Sequence, residues 1–385
     1  MNKLKQFIIP ILIIIIVMLL SGCGDQRLLE QLGFSQTISY DLVDENNGNG
    51  ENDEDTKNKL KITISLPKVN TESGKIEREL LTDNAPTSKE ARIILASQTE
   101  LMLVSGQLRN TLFGVKLAEQ GLWEHIDTLL RDPSISPRLK ITVVDGSAHD
   151  LLVKDYPAHP RTGLYIDHLL KKEADAQTIP KINLHEFTRD YFDDGIDPVV
   201  PIIKDNGKHI SLDGIALFRE DRYITKIKPD QALIFAMMRA GFTRGEISID
   251  LAETGRENEH IMFGSIIGKR KIKASSNIEN DHYRVDINMN IKGSVLEYIG
   301  DLHLDSDKDR KKLEGLISKY ITDEAQTMID TMQENNVDSI GLGRYIRNSL
   351  TYKEWSSLNW DEVYPNIEVH CHAKVVIKDY GEFEK

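Results

Sequence analysis

Leu20-Ser21-Gly22-Cys23 sets a thiol directly behind two small residues and a branched apolar one. That pattern suits lipoprotein processing. Small residues let a peptidase reach extended backbone beside a membrane, and the Cys23 sulfur then attacks a lipid and becomes a thioether. Lys3 and Lys5 stand ahead of it, and residues 7–20 carry no charge, with Pro10 as the one breaker. A membrane-spanning helix needs about 20 apolar residues. This run is shorter and reads as the apolar core of a signal peptide over residues 1–22. Cleavage is expected before Cys23, leaving S-diacylglycerol and an N-acyl chain on that residue. Several acyl chains anchor a protein stably where a single chain does not. An ordinary signal peptide with a chance cysteine and an uncleaved anchor are the competing readings.

Other clusters invite chemistry less directly. His370-Cys371-His372 on a strand would put both histidines on one face and Cys371 on the other, beside Val369, Ala373, Val375 and Ile377. The thiol then reads as buried and inert, and a metal would need a further ligand. Asp193-Asp194-Gly195-Ile196-Asp197 is dense in carboxylates and reads as a turn rather than a metal site. The acidic stretch 44–55 lacks EF-hand spacing and reads as a solvated loop. Gly341-Leu342-Gly343 lacks the third glycine of a dinucleotide fingerprint and reads as a hinge or cap. Ser147 has no nucleophile-elbow context. Lys269-Arg270-Lys271 with Lys273 forms a basic spot, either a solvated strand edge or a contact for anionic headgroups. Trp355, Trp360 and Tyr364 precede or flank Pro365. They could pack in a core or anchor a partner interface, since aromatics are enriched at hot spots. No catalytic residue and no metal ligand is assigned.

These residues must be held by a chain of 385 residues with net charge -13 and 40% hydrophobic content. That length suits two or three domains. The acidic balance argues against a nucleic-acid partner, which needs a basic face. Two cysteines exclude a disulfide-stapled fold. Alternating apolar residues predict strands over 34–42 and 60–66. Helices are expected over 88–104, capped by Ser88, and over 115–130, followed by a buried strand at 139–144 and short helices at 148–154 and 164–172. Residues 179–201, punctuated by prolines and Gly195, read as an irregular domain linker or interdomain crossover. Strands at 209–218 and 222–227 and a helix at 231–240 follow. The last part offers strands at 261–273 and 284–291, a long helix over 307–334, a short one at 342–347 and a final strand over 367–378. The fold class is α+β, with helices covering sheet faces.

In order and spacing, several of these segments resemble the C subunit of spore germinant receptors, the Ger(x)C lipoprotein family (GerAC- and GerBC-like). Leu28-Leu29-Glu30-Gln31-Leu32-Gly33-Phe34 is similar to its post-lipidation segment, although Gly24 stands where the family usually has Trp. Residues 112–121, followed by Leu129-Leu130-Arg131-Asp132-Pro133, resemble its first-domain signature, and residues 212–218 its second. Residues 338–343, Trp355 and residues 359–365 resemble its C-terminal block.

The resemblance implies three mixed α/β domains, each a β-sheet with packed helices, in an extended arrangement. The expected division is a signal peptide 1–22, an N-terminal domain 23–200 with the acidic loop, a small middle domain 201–258 and a C-terminal domain 259–385. It further implies a non-enzymatic, lipid-anchored subunit on the extracytoplasmic face of the spore inner membrane. Its partners would be two integral-membrane receptor subunits, A-type and B-type, together with membrane lipid, and no cofactor beyond the covalent lipid is expected. A solute-binding lipoprotein of a transporter and an anchored hydrolase are the alternatives.

Overall fold

The computed structural model describes residues 31–43, 59–69, 74, 76–252, 258–277 and 282–380. Cys23, the expected signal peptide and the acidic stretch 44–55 lie outside them. The N-terminal half opens with β1 (Leu32–Phe34), β2 (Thr37–Leu42), β3 (Leu60–Val69) and β4 (Ile76–Ala85). Helix α1 (Ser88–Ala96), β5 (Met102–Val104) and β6 (Asn110–Gly114) follow. Then come α2 (Val115–Gln120), α3 (Trp123–Leu130), β7 (Lys140–Val144), α4 (Ala148–Val153), α5 (Thr162–Asp175) and α6 (Leu184–Phe192). Strands β8 (Val199–Asp205), β9 (Ile210–Arg219) and β10 (Arg222–Ile227) precede α7 (Ala232–Arg239). The C-terminal part holds β11 (Ile247–Asp250), β12 (His260–Asn277), β13 (His282–Ile299) and α8 (Asp307–Glu334). It ends with α9 (Leu342–Arg347), α10 (Tyr352–Ser356), α11 (Trp360–Val363) and β14 (Glu368–Asp379).

The fold is mixed α/β. Eight strands form one sheet in the order β10-β9-β8-β7-β6-β2-β3-β4, four form another in the order β11-β12-β13-β14, and β1 pairs with β5. The interior of the large sheet is parallel, from β2 through β6 and β7 to β8. Strands buried on both faces read as continuous apolar runs. Val199, Val200, Ile202 and Ile203 of β8 accordingly have no exposed surface. In β2, Thr37, Ser39 and Asp41 are as buried as Ile38 and Tyr40, so the alternation there did not mark a half-solvated strand.

The expected boundary at residue 200 falls inside this sheet. Val143 and Val144 of β7 pair with Ile202 and Ile203, and β9 and β10 continue outward. Strands β8–β10, placed by the sequence reading in a middle domain 201–258, thus hydrogen-bond as part of the N-terminal sheet, while β11 pairs with β12. The pairing to β7 starts one residue past Pro201, whose missing N–H would weaken it.

Other elements differ in detail. Residues 88–104 split into α1 and β5, and Thr87 rather than Ser88 caps α1, its Oγ1 accepting from the Glu90 N–H at 3.2 Å. Residues 115–130 break into α2 and α3 at Gly121. The stretch read as irregular contains α6, opened by Asn183, whose Oδ1 accepts from the N–H groups of His185 and Glu186 at 2.9 and 3.1 Å.

The four-stranded sheet buries Val285, Ile287, Met289, Ile291, Cys371 and Val375 on one face. Helices α7 and α9 lie against β12 and β13, and α8 runs along β14. Being at the sheet edge, β14 turns alternate N–H groups away from β13, and α8 receives them. Glu314 Oε1 accepts from Ile377 at 2.8 Å, Ser318 Oγ from Val375 at 3.0 Å, Thr322 Oγ1 from Ala373 at 3.0 Å and Gln326 Oε1 from Cys371 at 3.2 Å. Four helical residues rise about 6.0 Å and two strand residues about 6.7 Å. The two repeats nearly match, so a polar stripe at every fourth helix position meets every second strand amide. The adjoining apolar stripe, Leu313, Ile317, Ile321 and Ala325, is buried.

Candidate functional site

The acidic turn 193–197 and the block 338–364 meet in one junction. It starts at the buried Asp338. One carboxylate oxygen accepts from the N–H groups of Gly341 and Leu342 at 2.9 and 2.8 Å. The other accepts from Gly343 N–H at 2.7 Å and from the Trp360 indole at 3.3 Å. Asp338 therefore holds the start of α9, where backbone donors lack intrahelical partners. Burial pushes its carboxyl up to about 6, with the three amide donors and the indole opposing the shift.

Asp197 is tied to the same point. Its N–H donates to the Asp338 carbonyl at 3.0 Å, and its Oδ2 accepts from the Asp338 N–H at 2.6 Å. Its Oδ1 accepts from Glu220 N–H at 3.1 Å. Burial pushes Asp197 up to about 7, with the nearby Asp338 charge acting in the same direction. Strongly shifted carboxyls mark functional sites, but structural networks shift them too. Here each carboxylate oxygen is already engaged by a backbone donor, so neither group is poised as a free base.

The neighbouring residues close the clasp. Arg347 pairs with Asp193 at 2.8 Å and donates to the Asp194 carbonyl at 2.7 Å, and Arg344 N–H donates to the Gly195 carbonyl at 3.2 Å. Gly195 has φ +84. A Cβ there would lie 2.8 Å from Gly343 Cα, and one on Gly343 would lie 2.5 Å from Gly195 Cα and 2.7 Å from the Trp360 ring. Two glycine backbones in direct contact thus join the turn to α9. Gly341-Leu342-Gly343 is the start of this helix.

The aromatic residues singled out from the sequence gather here. Trp355 and Trp360 lie 5.6 Å apart between ring centroids, and Trp360 and Tyr364 5.7 Å. Trp355 is 9% and Tyr364 1% exposed, so most of this cluster is core, with Trp360 half-buried. Burial, with Asp338 and Asp197 nearby, holds the Tyr364 hydroxyl well above its ordinary range. That hydroxyl finds no hydrogen-bond partner among the described residues.

The outward aromatic is Tyr352, 87% exposed, which the sequence reading did not single out. Thr351 and Glu354 form a capping box around its helix α10, which turns Tyr352 outward and Trp355 inward. A groove of about 430 Å³ runs between the two segments, lined by Tyr191, Asp194, Glu220, Tyr352, Trp355 and Asp361 among others. On its other flank Trp123 stacks on Tyr191 at 4.3 Å, with Phe192 65% exposed beside them. Tyr191-Phe192 directly before two aspartates was visible in the sequence, but within a stretch read as a crossover.

The remaining candidates have local roles. Cys371 is 3% exposed, and burial pushes its thiol up to about 12. His370 and His372 stack with centroids 6.4 Å apart, and His370 Nε2 meets Glu368 at 2.5 Å. Among the described residues no group of three or more His, Cys, Asp or Glu could hold a metal ion. Ser147 caps α4, its Oγ accepting from Asp150 N–H at 3.0 Å. No helix among the described residues is long and apolar enough to cross a membrane.

Comparison with known proteins agrees with this architecture. The model of the spore germination protein N-terminal domain matches residues 25–205, and that of the spore germination B3/GerAC-like C-terminal domain matches residues 213–381. Spore germination protein GerQC of Bacillus cereus is 26% identical over 374 residues, covering 97% of this chain and 99% of its own length. Putative spore germination protein YfkR of Bacillus subtilis is 22% identical over 405 residues, covering 100% and 98%. The crystal structure of the GerBC protein superposes with a TM-score of 0.59 at 15% identity, over 83% of this chain and 94% of that one, and shows the same fold.

Proposed function

The chain belongs to the GerAC family of spore germination proteins, and on that premise we propose that it is a lipid-anchored, non-catalytic subunit of a nutrient germinant receptor. In this reading Cys23 carries the lipid on the extracytoplasmic face of the spore inner membrane. The chain passes a signal by contact with two integral-membrane subunits, A-type and B-type.

The observation that carries the non-catalytic part is the junction itself. Its most perturbed groups, Asp197 and Asp338, are bound to backbone donors and join two parts of the chain. The groove beside them suits contact with a partner. Tyr352 stands exposed in its lining, Trp355 and Trp360 line it from more buried positions with Tyr364 packed against Trp360, and the exposed Phe192 lies beside Tyr191 of the lining. Exposed aromatics above a packed base are the usual make-up of a hot spot.

The test is two-armed. Cys23→Ala should release the protein from membranes and weaken nutrient-triggered germination, while a photo-crosslinker at position 352 should capture a membrane subunit. Full receptor function with an unlipidated chain, or no crosslink at 352, would reject the corresponding part. A solute-binding lipoprotein is the second reading. The two unlike sheets, of eight and four strands, argue against the matched lobes it needs. Tight one-to-one binding of an amino acid or sugar in calorimetry would favour it.

A further inference from the structure

The basic spot flagged on β12 is one column of a wider lattice. Strand register places Ile267, Lys292 and Val376 in one row across β12, β13 and β14. The next row is Lys269, Asn290 and Lys374, then Lys271, Asn288 and His372, then Lys273, Asp286 and His370. All lie on the face opposite the buried Val285, Ile287, Met289 and Ile291. Arg270 is not part of it. Alternation turns it inward, where it donates to the Met238 carbonyl and lies 5.8 Å from the Tyr345 ring.

Four rows of three strands cover about 20 by 10 Å. Lys269, Lys271, Lys273, Lys292 and Lys374 are all exposed. Among the described residues none of them has an ion-pair partner. The one carboxylate in the four rows, Asp286, is held by Arg284 at 2.9 Å. A chain of net charge -13 thus gathers five unneutralised lysines on one flat sheet face. At one end, Ile267, Val376 and Leu296 are 45%, 37% and 51% exposed.

We infer that this face docks on an anionic phospholipid surface, with the lysines among the headgroups and the apolar end at the acyl boundary. Composition selects lipid over an acidic protein. Protein interfaces are enriched in Arg, Tyr and Trp and depleted in Lys, and these rows contain Lys and no Arg, Tyr, Trp or Phe. An ammonium on a flexible stem suits a diffuse layer of charge, whereas Arg suits a fixed fork of acceptors. Each lysine near an anionic leaflet strengthens binding roughly fivefold. The face stands on sheet geometry and does not depend on acylation of Cys23.

The test is amine-reactive footprinting of the full chain incorporated into phosphatidylcholine vesicles, with or without phosphatidylglycerol. Labelling of the five lattice lysines should fall several-fold on the anionic vesicles only and recover at high salt. The exposed Lys311 and Lys312 of α8 serve as the unchanged reference. In Lys269→Gln/Lys271→Gln/Lys273→Gln, which alters only exposed side chains, Lys292 and Lys374 should lose most of their protection. Equal labelling on both vesicle types, protection indifferent to salt, or undiminished protection of Lys292 and Lys374 in the triple variant would overturn the inference. So would protection that appears only when the receptor's membrane subunits are also present, because the occupant would then be protein.

Discussion

The backbone N–H of Asp338 donates to the carboxylate of Asp197 at 2.6 Å, and the Asp197 N–H donates back to the Asp338 carbonyl at 3.0 Å. Residues 141 positions apart are therefore joined by a reciprocal pair of hydrogen bonds, one to a carboxylate and one to a backbone carbonyl. The side chain of Asp338, on the far side of this pair, orders α9. Both carboxyls titrate well above the ordinary carboxylate value, and the first prediction follows from that.

In the unfolded chain both groups should ionise near about pH 4. In the folded chain they do so at about 7 for Asp197 and about 6 for Asp338. Between these values the folded state keeps protons that the unfolded state has released, so raising the pH through this window removes stability. The contribution is full below about pH 4 and is lost as the pH rises through about 6 to 7, on the order of 4 kcal/mol for Asp197 and about 3 kcal/mol for Asp338. Thermal midpoints measured from pH 4 to 8 should fall toward neutrality. Asp338→Asn should flatten that slope. It should also lower the midpoint throughout, because an amide N–H₂ facing backbone donors leaves one unpaired, at about 1–3 kcal/mol. An unchanged slope in Asp338→Asn would refute the assignment.

Gly343→Ala should destabilise by about 1–3 kcal/mol or more, since its Cβ would enter the space of Gly195 Cα at 2.5 Å and neither backbone can yield easily. Gly315→Ala is the matched control. Gly315 is exposed on α8 with nothing within 4 Å, so alanine there should stabilise by about 0.5–1 kcal/mol. Urea unfolding of the two variants reads both signs.

Thr322→Val keeps the shape of the side chain and removes the acceptor for the Ala373 N–H, bound at 3.0 Å. A loss of about 1–3 kcal/mol is expected for the orphaned edge amide. Hydrogen exchange should localise it, with the Ala373 amide accelerating more than that of Ile377, whose acceptor Glu314 is retained.

Cys371 should not react with a thiol reagent at pH 8 in the native state. It is buried, and its thiol is pushed up to about 12, so almost no thiolate is present or reachable. Reaction should follow the unfolding transition in urea. Rapid labelling of the folded protein would mean that the edge strand opens.

Trp355→Ala and Tyr352→Ala should separate packing from contact. Trp355 is 9% exposed, and its truncation should cost about 3–5 kcal/mol. Tyr352 is 87% exposed, and its truncation should leave stability within about 0.5 kcal/mol while weakening co-purification of the proposed membrane subunits.

Long periodic segments were legible. The apolar stripe of α8 set its limits at 307–334, and the alternation of β13 set its buried face. What escaped were segments whose pattern depends on distant partners. Strand β4, Ile76–Ala85, carries Glu77, Arg78, Glu79 and Asp83 and gives no strand signal by itself, yet it pairs with β3 along its whole length. Pro198 and Pro201 suggested a linker where a central strand begins. The acidic segment 193–197 read only as a turn because its partners, Arg344, Arg347 and the amide of Asp338, lie far along the chain. The residues of the candidate junction could be picked out one by one, but not the fact that they meet. The polar stripe Glu314, Ser318, Thr322 and Gln326 was equally visible, but only the position of β14 gives it meaning.

That stripe acts like the teeth of a zip whose pitch differs slightly on its two sides. Each rung slips by about 0.7 Å, so the mismatch reaches roughly a third of a rung across four teeth. A much longer fastening would fall out of step, which limits how far one straight helix can seal a sheet margin by side chains alone. Inserting a single residue early in α8 would rotate all the teeth by about 100° and expose the whole margin to other strands at once.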